Sequence, residues 1–418
     1  MRIKVDENGN WRSFRHRNFR ILYPANAMSN IGTWAQRVAQ DWLVLELTDN
    51  NGFYLGLVTA IQFAPVLLFS LQGGAMADRI DKRKLLIWTN IVAALACYTL
   101  GILVVAEVIQ LWHVFVCAAV LGISSALDAP IRQSFTAEIV GHSDVANAVS
   151  LNSANFNAGR LVGPALSGFL IARFDTGPSF LINATTYLFV ILSLFFMRSS
   201  DFFIQKKEET LGTIREGLRY AKARPDLYVV MALVFFAATF GLNFQIFNAL
   251  MASKEFGKGP AEFGLLGTYI AVGSLTGALL SARLERFRDA KLVVRLGVWF
   301  SIVVIVLSVM PTYTWYSLWL PVCGISALTM LISANSYVQV NSDPAVRGRV
   351  MGIYLLVFMG GTPVGSLLIG YLTEALGTRE TIALCGGFSL LMCVLIWVFF
   401  NDKVERPADL RVSSVLGK

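Results

Sequence analysis

Charge, histidine and cysteine are all scarce in this chain of 418 residues, and each scarcity closes off a class of protein. Only 15% of the residues are charged against 55% hydrophobic, and the mean hydropathy is positive, which lies outside the range of water-soluble globular domains. The three histidines, His16, His113 and His142, are scattered, so they form no metal-binding pair. There is neither a nucleophile elbow nor a phosphate-binding glycine loop. Enzymatic chemistry, a metal or other cofactor, and ATP as a driver are therefore not expected. The five cysteines, Cys97, Cys117, Cys323, Cys385 and Cys393, lie in apolar stretches where a thiol acts as a small apolar filler, so no disulfide framework is implied. The basic, polar N-terminal stretch lacks the apolar core and cleavage site of a secretory signal peptide, so the first apolar run is expected to direct insertion.

What the chain has in abundance is uncharged runs of about 20 residues, the length of one helical crossing of a bilayer. Twelve crossings can be placed, near 20–47, 55–77, 85–106, 110–136, 146–172, 177–197, 227–251, 263–283, 292–310, 314–338, 348–373 and 380–400. The ninth and tenth share one uncharged run from Leu296 to Ser342, divided at Met310-Pro311-Thr312 because proline ends a helix readily. Lys and Arg concentrate in cytoplasmic loops. With the N-terminus inside, 28 of the 35 fall on the cytoplasmic side, while Arg173, Lys254, Lys258 and Arg379 fall outside and Arg37, Arg132 and Arg160 within crossings. The expectation is an all-α, multi-pass protein of the cell membrane with both termini cytoplasmic. The net charge of +8 is then an orientation signal, and no nucleic-acid partner is expected.

Between Arg198 and Asp226 the apolar pattern gives way to charge, so residues 201–225 read as a cytoplasmic linker between bundles at 1–200 and 226–418. Ile214, Leu218 and Ala221 share one helical face with basic residues beside them, as in a short amphipathic helix at a membrane surface; a solvated linker is equally open. Gly122-Ile123-Ser124 returns as Gly324-Ile325-Ser326, and Gly159, Gly163 and Gly168 return as Gly361, Gly365 and Gly370, every pair offset by 202 residues. One shared offset across two crossings marks the halves as repeats, which suit two bundles rocking about a site near the midplane.

A charge in the hydrocarbon region costs roughly 2.5 to 3.5 kcal/mol on insertion scales, so such residues face a bundle interior or a wet cavity. The first crossing carries Arg37 and Asp41, the fourth Asp128 and Arg132, and the fifth Arg160; both pairs are spaced i, i+4, on one helix face. Asn26, Asn30, Arg37 and Asp41 form a polar stripe expected to line a cavity. Asp41 and Asp128 lie at different depths and are the candidates for a carboxylate that takes up and releases a proton, since burial and a neighbouring arginine pull its pKa in opposite directions. The competing reading is that each pair neutralises itself. Asn243, Gln245, Asn248, Asn335 and Gln339, mixed with Phe240, Phe244, Phe247 and Tyr337, suit either a cavity for an amphipathic organic molecule or hydrogen bonds between helices.

The loop after the second crossing resembles the signature of the major facilitator superfamily: Gly74, Asp78, Arg79, Lys82 and Arg83 match it, and Asp81 stands in place of its second glycine. The resemblance implies that Asp78 meets the start of the eleventh helix, where Arg347 and Arg349 add to the attraction, and closes a cytoplasmic gate. Arg79 or Arg83 would then pair with Glu138. Gly159, Gly163, Pro164 and Gly168 resemble the conformational motif in helix 5 of the superfamily's antiporters, with Ser167 where a glycine is common. Residues 30–43, 128–133 and 214–220 resemble a bacterial branch that includes enterobactin-type siderophore exporters and drug efflux proteins. Ala118 replaces an arginine that many members carry, so Arg132 or Arg160 would have to take over any relay assigned to it. Membership implies the major facilitator fold, twelve transmembrane helices in two pseudo-symmetric six-helix bundles. It further implies a monomeric, proton-coupled exporter of amphipathic small organic molecules such as drugs or siderophores, working by alternating access in a lipid bilayer. A lipid or lysolipid flippase or a proton-coupled importer is the open alternative, and a transport-inactive receptor or scaffold a more distant one.

Overall fold

Several helices begin at a capping side chain or a proline, among them those that start at Lys82, Gly177, Pro225, Ala290, Tyr313 and Thr362. In the computed structural model, which describes residues 9–203, 214–283, 289–344 and 346–404 and gives backbone alone over 70–79, 214–215, 282 and 400–404, every regular element among the described residues is helical. The first half holds α1 (Arg17–Leu47), α2 (Gly52–Arg79), α3 (Lys82–Val105), α4 (Leu111–Val140), α5 (Val145–Phe174) and α6 (Gly177–Phe195). The linker helix is α7 (Ile214–Ala223). Beyond it come α8 (Pro225–Phe236), α9 (Phe244–Leu250), α10 (Pro260–Arg283), α11 (Ala290–Ser308), α12 (Tyr313–Asn341), α13 (Arg347–Gly360), α14 (Thr362–Leu376) and α15 (Thr378–Val404). The seventh crossing is composite: π turns at Ala237–Gly241 and Met251–Glu255 flank α9. The eleventh is α13 and α14, meeting at Gly361.

The all-α membrane fold expected from the hydropathy pattern holds. Ten helical stretches among the described residues are long and apolar enough to cross a membrane. The two remaining long helices are α1 and α5, of 31 and 30 residues, and what keeps them from the apolar set is their polar content, Arg37, Asp41 and Arg160 included. The expected break at Pro311 is present, with Thr312 Oγ1 accepting the Trp315 N–H at 3.4 Å to cap α12. Asp81, the departure from the family glycine, caps α3 by accepting the Lys84 N–H at 3.2 Å.

The chain divides into two compact units, one of residues 1–50, 61–208 and 259–268, the other of residues 51–60, 209–258 and 269–418. In the first unit α5 lies backbone to backbone against α1: a Cβ on Gly159 would stand 2.8 Å from the Asn30 carbonyl carbon, and one on Gly163 2.6 Å from Trp34 Cβ. Farther along α5, Gly168 meets the first turns of α10, where an added Cβ would be 2.7 Å from the Pro260 carbonyl oxygen, and Gly264 of α10 returns the contact by abutting the Pro164 carbonyl. The second unit repeats the arrangement. Gly361 and Gly365 abut Thr239, and Gly370 meets the first turn of α2, where an added Cβ would be 2.6 Å from the Gly52 carbonyl oxygen, while Gly56 abuts the Ser366 carbonyl. These three of the four glycine pairs offset by 202 residues thus hold equivalent positions, each in its own unit, as small residues that let helix backbones touch.

The linker helix keeps only part of the face that the sequence pattern marks, and the side chain of Ile214 lies outside the described residues. Tyr220 and Ala221 are buried, Leu218 is exposed, and Gly217 lies against Arg349. Glu216 accepts a hydrogen bond from Arg349 Nη1 at 2.9 Å. Arg224 donates to both oxygens of Asp226 at 2.9 and 2.8 Å and to the Tyr220 hydroxyl at 3.1 Å, and the Tyr337 hydroxyl donates to Asp226 at 3.1 Å. These bonds pin α7 to α8, α12 and α13, so its buried side rests on protein.

The N-terminal segment is held by one carboxylate. Asp144, 2% exposed, takes Arg15 Nε at 2.8 Å, His16 Nε2 at 2.7 Å and Arg12 Nε at 3.4 Å. Burial alone would raise its pKa, but the His16 hydrogen bond and the charges of Arg15 and His16 outweigh it and hold the carboxyl below the usual aspartate range.

Two outcomes are expected. Gly163→Ala and Gly365→Ala should each destabilise the purified protein by about 1 to 3 kcal/mol in a thermal melt, because backbone cannot give way, whereas Gly387→Ala, with open space around it, should be neutral or stabilising by up to about 1 kcal/mol. A depressed carboxylate pKa contributes stability that is complete above about pH 4 and is lost as pH falls through the lower folded value. Residues 12–16 should therefore keep their hydrogen-exchange protection from pH 8 to about pH 4, after correction for intrinsic rates, and lose it below. Asp144→Asn should lower that protection between pH 8 and about pH 4, by roughly 10- to 100-fold, corresponding to about 1.5 to 3 kcal/mol for a charge-assisted bond, and should match wild type once the wild-type carboxyl is protonated.

Candidate functional site

Three polar clusters lie within the first unit. The most densely hydrogen-bonded joins α1, α3 and α4 around Asp128. Arg132, one turn on along α4, donates Nε to Asp128 Oδ2 at 2.7 Å and Nη2 to Oδ1 at 3.0 Å. Oδ1 also accepts the Thr89 hydroxyl at 2.8 Å and the Asn90 amide at 3.1 Å, both from α3. Arg132 Nη1 reaches Asn26 Oδ1 of α1 at 2.5 Å. Thr89 Oγ1 also lies 3.1 Å from the Leu86 carbonyl, so its single hydroxyl proton is shared between that carbonyl and the carboxylate.

The second cluster surrounds one indole. The guanidinium carbon of Arg37 lies 4.9 Å from the centre of the Trp34 ring and 5.7 Å from that of Phe63, and Arg160 of α5 lies 5.7 Å from the same Trp34 ring. The approach of α5 to α1 at Gly163 is what brings Arg160 to Trp34. Phe156 stacks edge-on against Trp34 at 5.6 Å. Arg37 Nε is buried without a hydrogen-bond partner among the described residues. Asp41, one turn beyond Arg37, is only 4% exposed.

Between these two, Gln36 of α1 accepts the Cys97 thiol at 3.1 Å and the Asn183 amide of α6, and Gln40 donates to Gln62 of α2 at 3.0 Å. Cys97 is therefore a hydrogen-bond donor as well as the apolar filler its surroundings imply.

The polar stripe on α1 is divided among neighbours. Asn26 turns to Arg132, Asn30 packs on Gly159, and Arg37 belongs to the cluster at Trp34, with Asp41 buried one turn beyond it. In the second unit Asn243 donates to the Thr239 carbonyl at 2.8 Å, across the first π turn, and Asn248 accepts the Tyr316 hydroxyl at 3.0 Å, so both serve the helices. Asn335 is half-buried and Gln339 exposed on α12.

At the inner end of the first unit Glu138 is paired, with Lys82 Nζ at 2.6 Å rather than with Arg83. Consecutive residues on a helix point about 100° apart, so α3 can turn only one of the two toward α4. Arg83 instead donates to the Phe195 carbonyl at 3.0 Å and the Ser199 hydroxyl at 3.2 Å. The side chains of Asp78 and Arg79, and the surroundings of Gly74, lie outside the described residues. Arg347 donates to the Ser342 carbonyl at 3.3 Å at the start of α13.

Thr89 and Asn90 are the functional neighbours that the sequence reading passed over. Their signal is an adjacent polar pair within an otherwise apolar crossing. Gln36, Gln62 and Asn183 carry no such signal, since an isolated amide in a crossing is common.

The transmembrane secretion effector family matches residues 8–415, nearly the whole chain. The staphyloferrin A transporter of Staphylococcus aureus is 23% identical over 93% of this chain and 98% of its own length. The multidrug efflux pump Tap of Mycolicibacterium fortuitum is 25% identical over 86% and 90%. Among solved structures, a bacterial homolog of the human lysosomal transporter Spinster, inward-facing and occupied, superposes with a TM-score of 0.75 at 15% identity, covering 96% of this chain and 100% of that one. The fold is thus that of a transporter, and the match along the full length gives the family: this chain belongs to the transmembrane secretion effectors of the major facilitator superfamily.

Proposed function

We propose that this protein is a proton-coupled exporter of amphipathic small organic molecules, of the drug or siderophore kind, working by alternating access. The observation that carries the export reading is the end-to-end match to a family whose named relatives include a staphyloferrin A transporter and a multidrug efflux pump. The protein acts as a monomer in the cell membrane, with both termini on the cytoplasmic face, as the Lys and Arg distribution favours. Its halves, 1–200 and 226–418 joined by 201–225, are the bodies that exchange access, a reading supported by the repeated glycine contacts in the two units.

Coupling is assigned to Asp41. Asp128 is tied to Arg132 through both of its oxygens and to Thr89 and Asn90 besides, which favours a bracing role, whereas Asp41 sits buried in the outer half of α1 beside an arginine. Uptake of a proton there neutralises the carboxylate and lowers the cost of burying it. Asp78, Arg79, Lys82, Arg83 and Glu138, with Arg347, form the cytoplasmic gate, and the amides Asn335 and Gln339 line the substrate path.

Efflux of a panel of lipophilic dyes, antibiotics and siderophores from cells lacking their own pumps tests this. Wild type should show protonophore-sensitive extrusion of at least one compound, and Asp41→Asn should reduce it tenfold or more at unchanged membrane abundance. Asp128→Asn should instead lower abundance, because Arg132 loses its anion; breaking a buried pair costs about 3 to 5 kcal/mol. Equal extrusion by wild type and Asp41→Asn under every gradient would move the coupling role to Asp128.

A further inference from the structure

We infer that Arg37, Arg160 and Trp34 form a recognition site for an organic anion with an aromatic body. The inference deepens the exporter reading above by naming the class of its substrate. Two guanidiniums from different helices approach a single indole, at 4.9 and 5.7 Å, so their carbons are no more than 10.6 Å apart. Like charges within that range in a low-dielectric setting repel, and an added anion relieves the repulsion. Asp41 supplies one carboxylate on the Arg37 side, which leaves one positive charge uncompensated among the three. Cation–π contact partly solvates both arginines, but it leaves their N–H groups for an acceptor, and Arg37 Nε is buried with no hydrogen-bond partner among the described residues.

The remaining walls give the rest of the ligand. Phe156 and Phe63 bracket the cluster, and Phe156 is 48% exposed although it stacks on Trp34. A planar aromatic body lies against these rings while its carboxylate or sulfonate takes the guanidinium N–H groups. The contrast with Arg132 is informative. That arginine meets Asp128 twice and Asn26 once, so three of its five N–H groups, one on each nitrogen, are engaged inside the protein, as expected of a structural ion pair.

The test uses two dyes with one ring system and opposite charge: fluorescein, an anion at pH 7.5, and rhodamine 6G, a cation. Binding of each to the purified full-length protein in phosphatidylcholine nanodiscs is followed by fluorescence anisotropy, with empty nanodiscs subtracted. Wild type should bind fluorescein at least tenfold more tightly than rhodamine 6G. Arg160→Gln should weaken fluorescein binding at least tenfold, and Arg160→Lys should restore part of it. Equal or tighter binding of rhodamine 6G by wild type would overturn the inference without any variant, so a poorly folding Arg160→Gln cannot shelter it. Fluorescein affinity within twofold of wild type in a folded Arg160→Gln would overturn it as well. The two proposals fail separately: fluorescein binding without any extrusion from cells removes the exporter and keeps the site, whereas extrusion that Arg160→Gln leaves untouched keeps the exporter and removes the site.

Discussion

A polar group that enters hydrocarbon has no water to turn to, and the protein must answer it with a partner of its own. The arrangement of α1, α3, α4 and α6 follows from that constraint. Asp128 collects donors from α3 and α4, its arginine passes on to Asn26 of α1, and Gln36 ties α1 to α3 and α6 through Cys97 and Asn183. Such bonds average only about 0.6 kcal/mol each in membrane proteins, since the unfolded chain in the bilayer also finds partners. Their larger effect is on geometry, because a rotation of any one helix would leave several groups unanswered at once.

Close packing supplies what the hydrogen bonds do not. Lipid tails are as apolar as leucine, so helices in a bilayer associate through surfaces that fit. Here the fit is made at backbone level by glycine, on α5 in one unit and on α14 with its neighbouring Gly361 in the other. Each of these helices touches two neighbours along its length, with small residues at both places. The same helix that is fixed to α1 by Gly159 and Gly163 also delivers Arg160 to Trp34, so packing and recognition are set by one approach.

Much of this is legible in the residues. Period and length give the crossings, and the two helices that fail an apolarity test are those whose polar residues the sequence marks out. The offset of 202 finds the packing glycines because a glycine required for close approach cannot be replaced by a neighbour in the helix. The Asp128–Arg132 pair is readable because both members lie on one helix. Partners on other helices are not: Thr89, Asn90 and Asn183 depend on how helices are rotated, which no local pattern fixes. The joint approach of Arg37 and Arg160 to one indole belongs to the same class, since 123 residues separate them in the chain. The choice of Lys82 over Arg83 for Glu138 turns on one helical step. For α7, the pattern marks Leu218 as apolar and the fold uses Tyr220, whose hydroxyl gives Arg224 an acceptor that leucine lacks.

The π turns that flank α9 have a further consequence. Each holds one residue more than an α turn, and so advances the faces that follow by about 100° relative to an unbroken helix. A helical wheel drawn through Pro225–Glu255 therefore assigns the wrong neighbours beyond Ala237, even though the crossing is long and apolar throughout. It also means that this crossing carries surplus length in two defined places. A single-residue deletion there can be absorbed by tightening a wide turn to an ordinary one, whereas the same change in α3 or α4 would turn an entire polar network away from its partners.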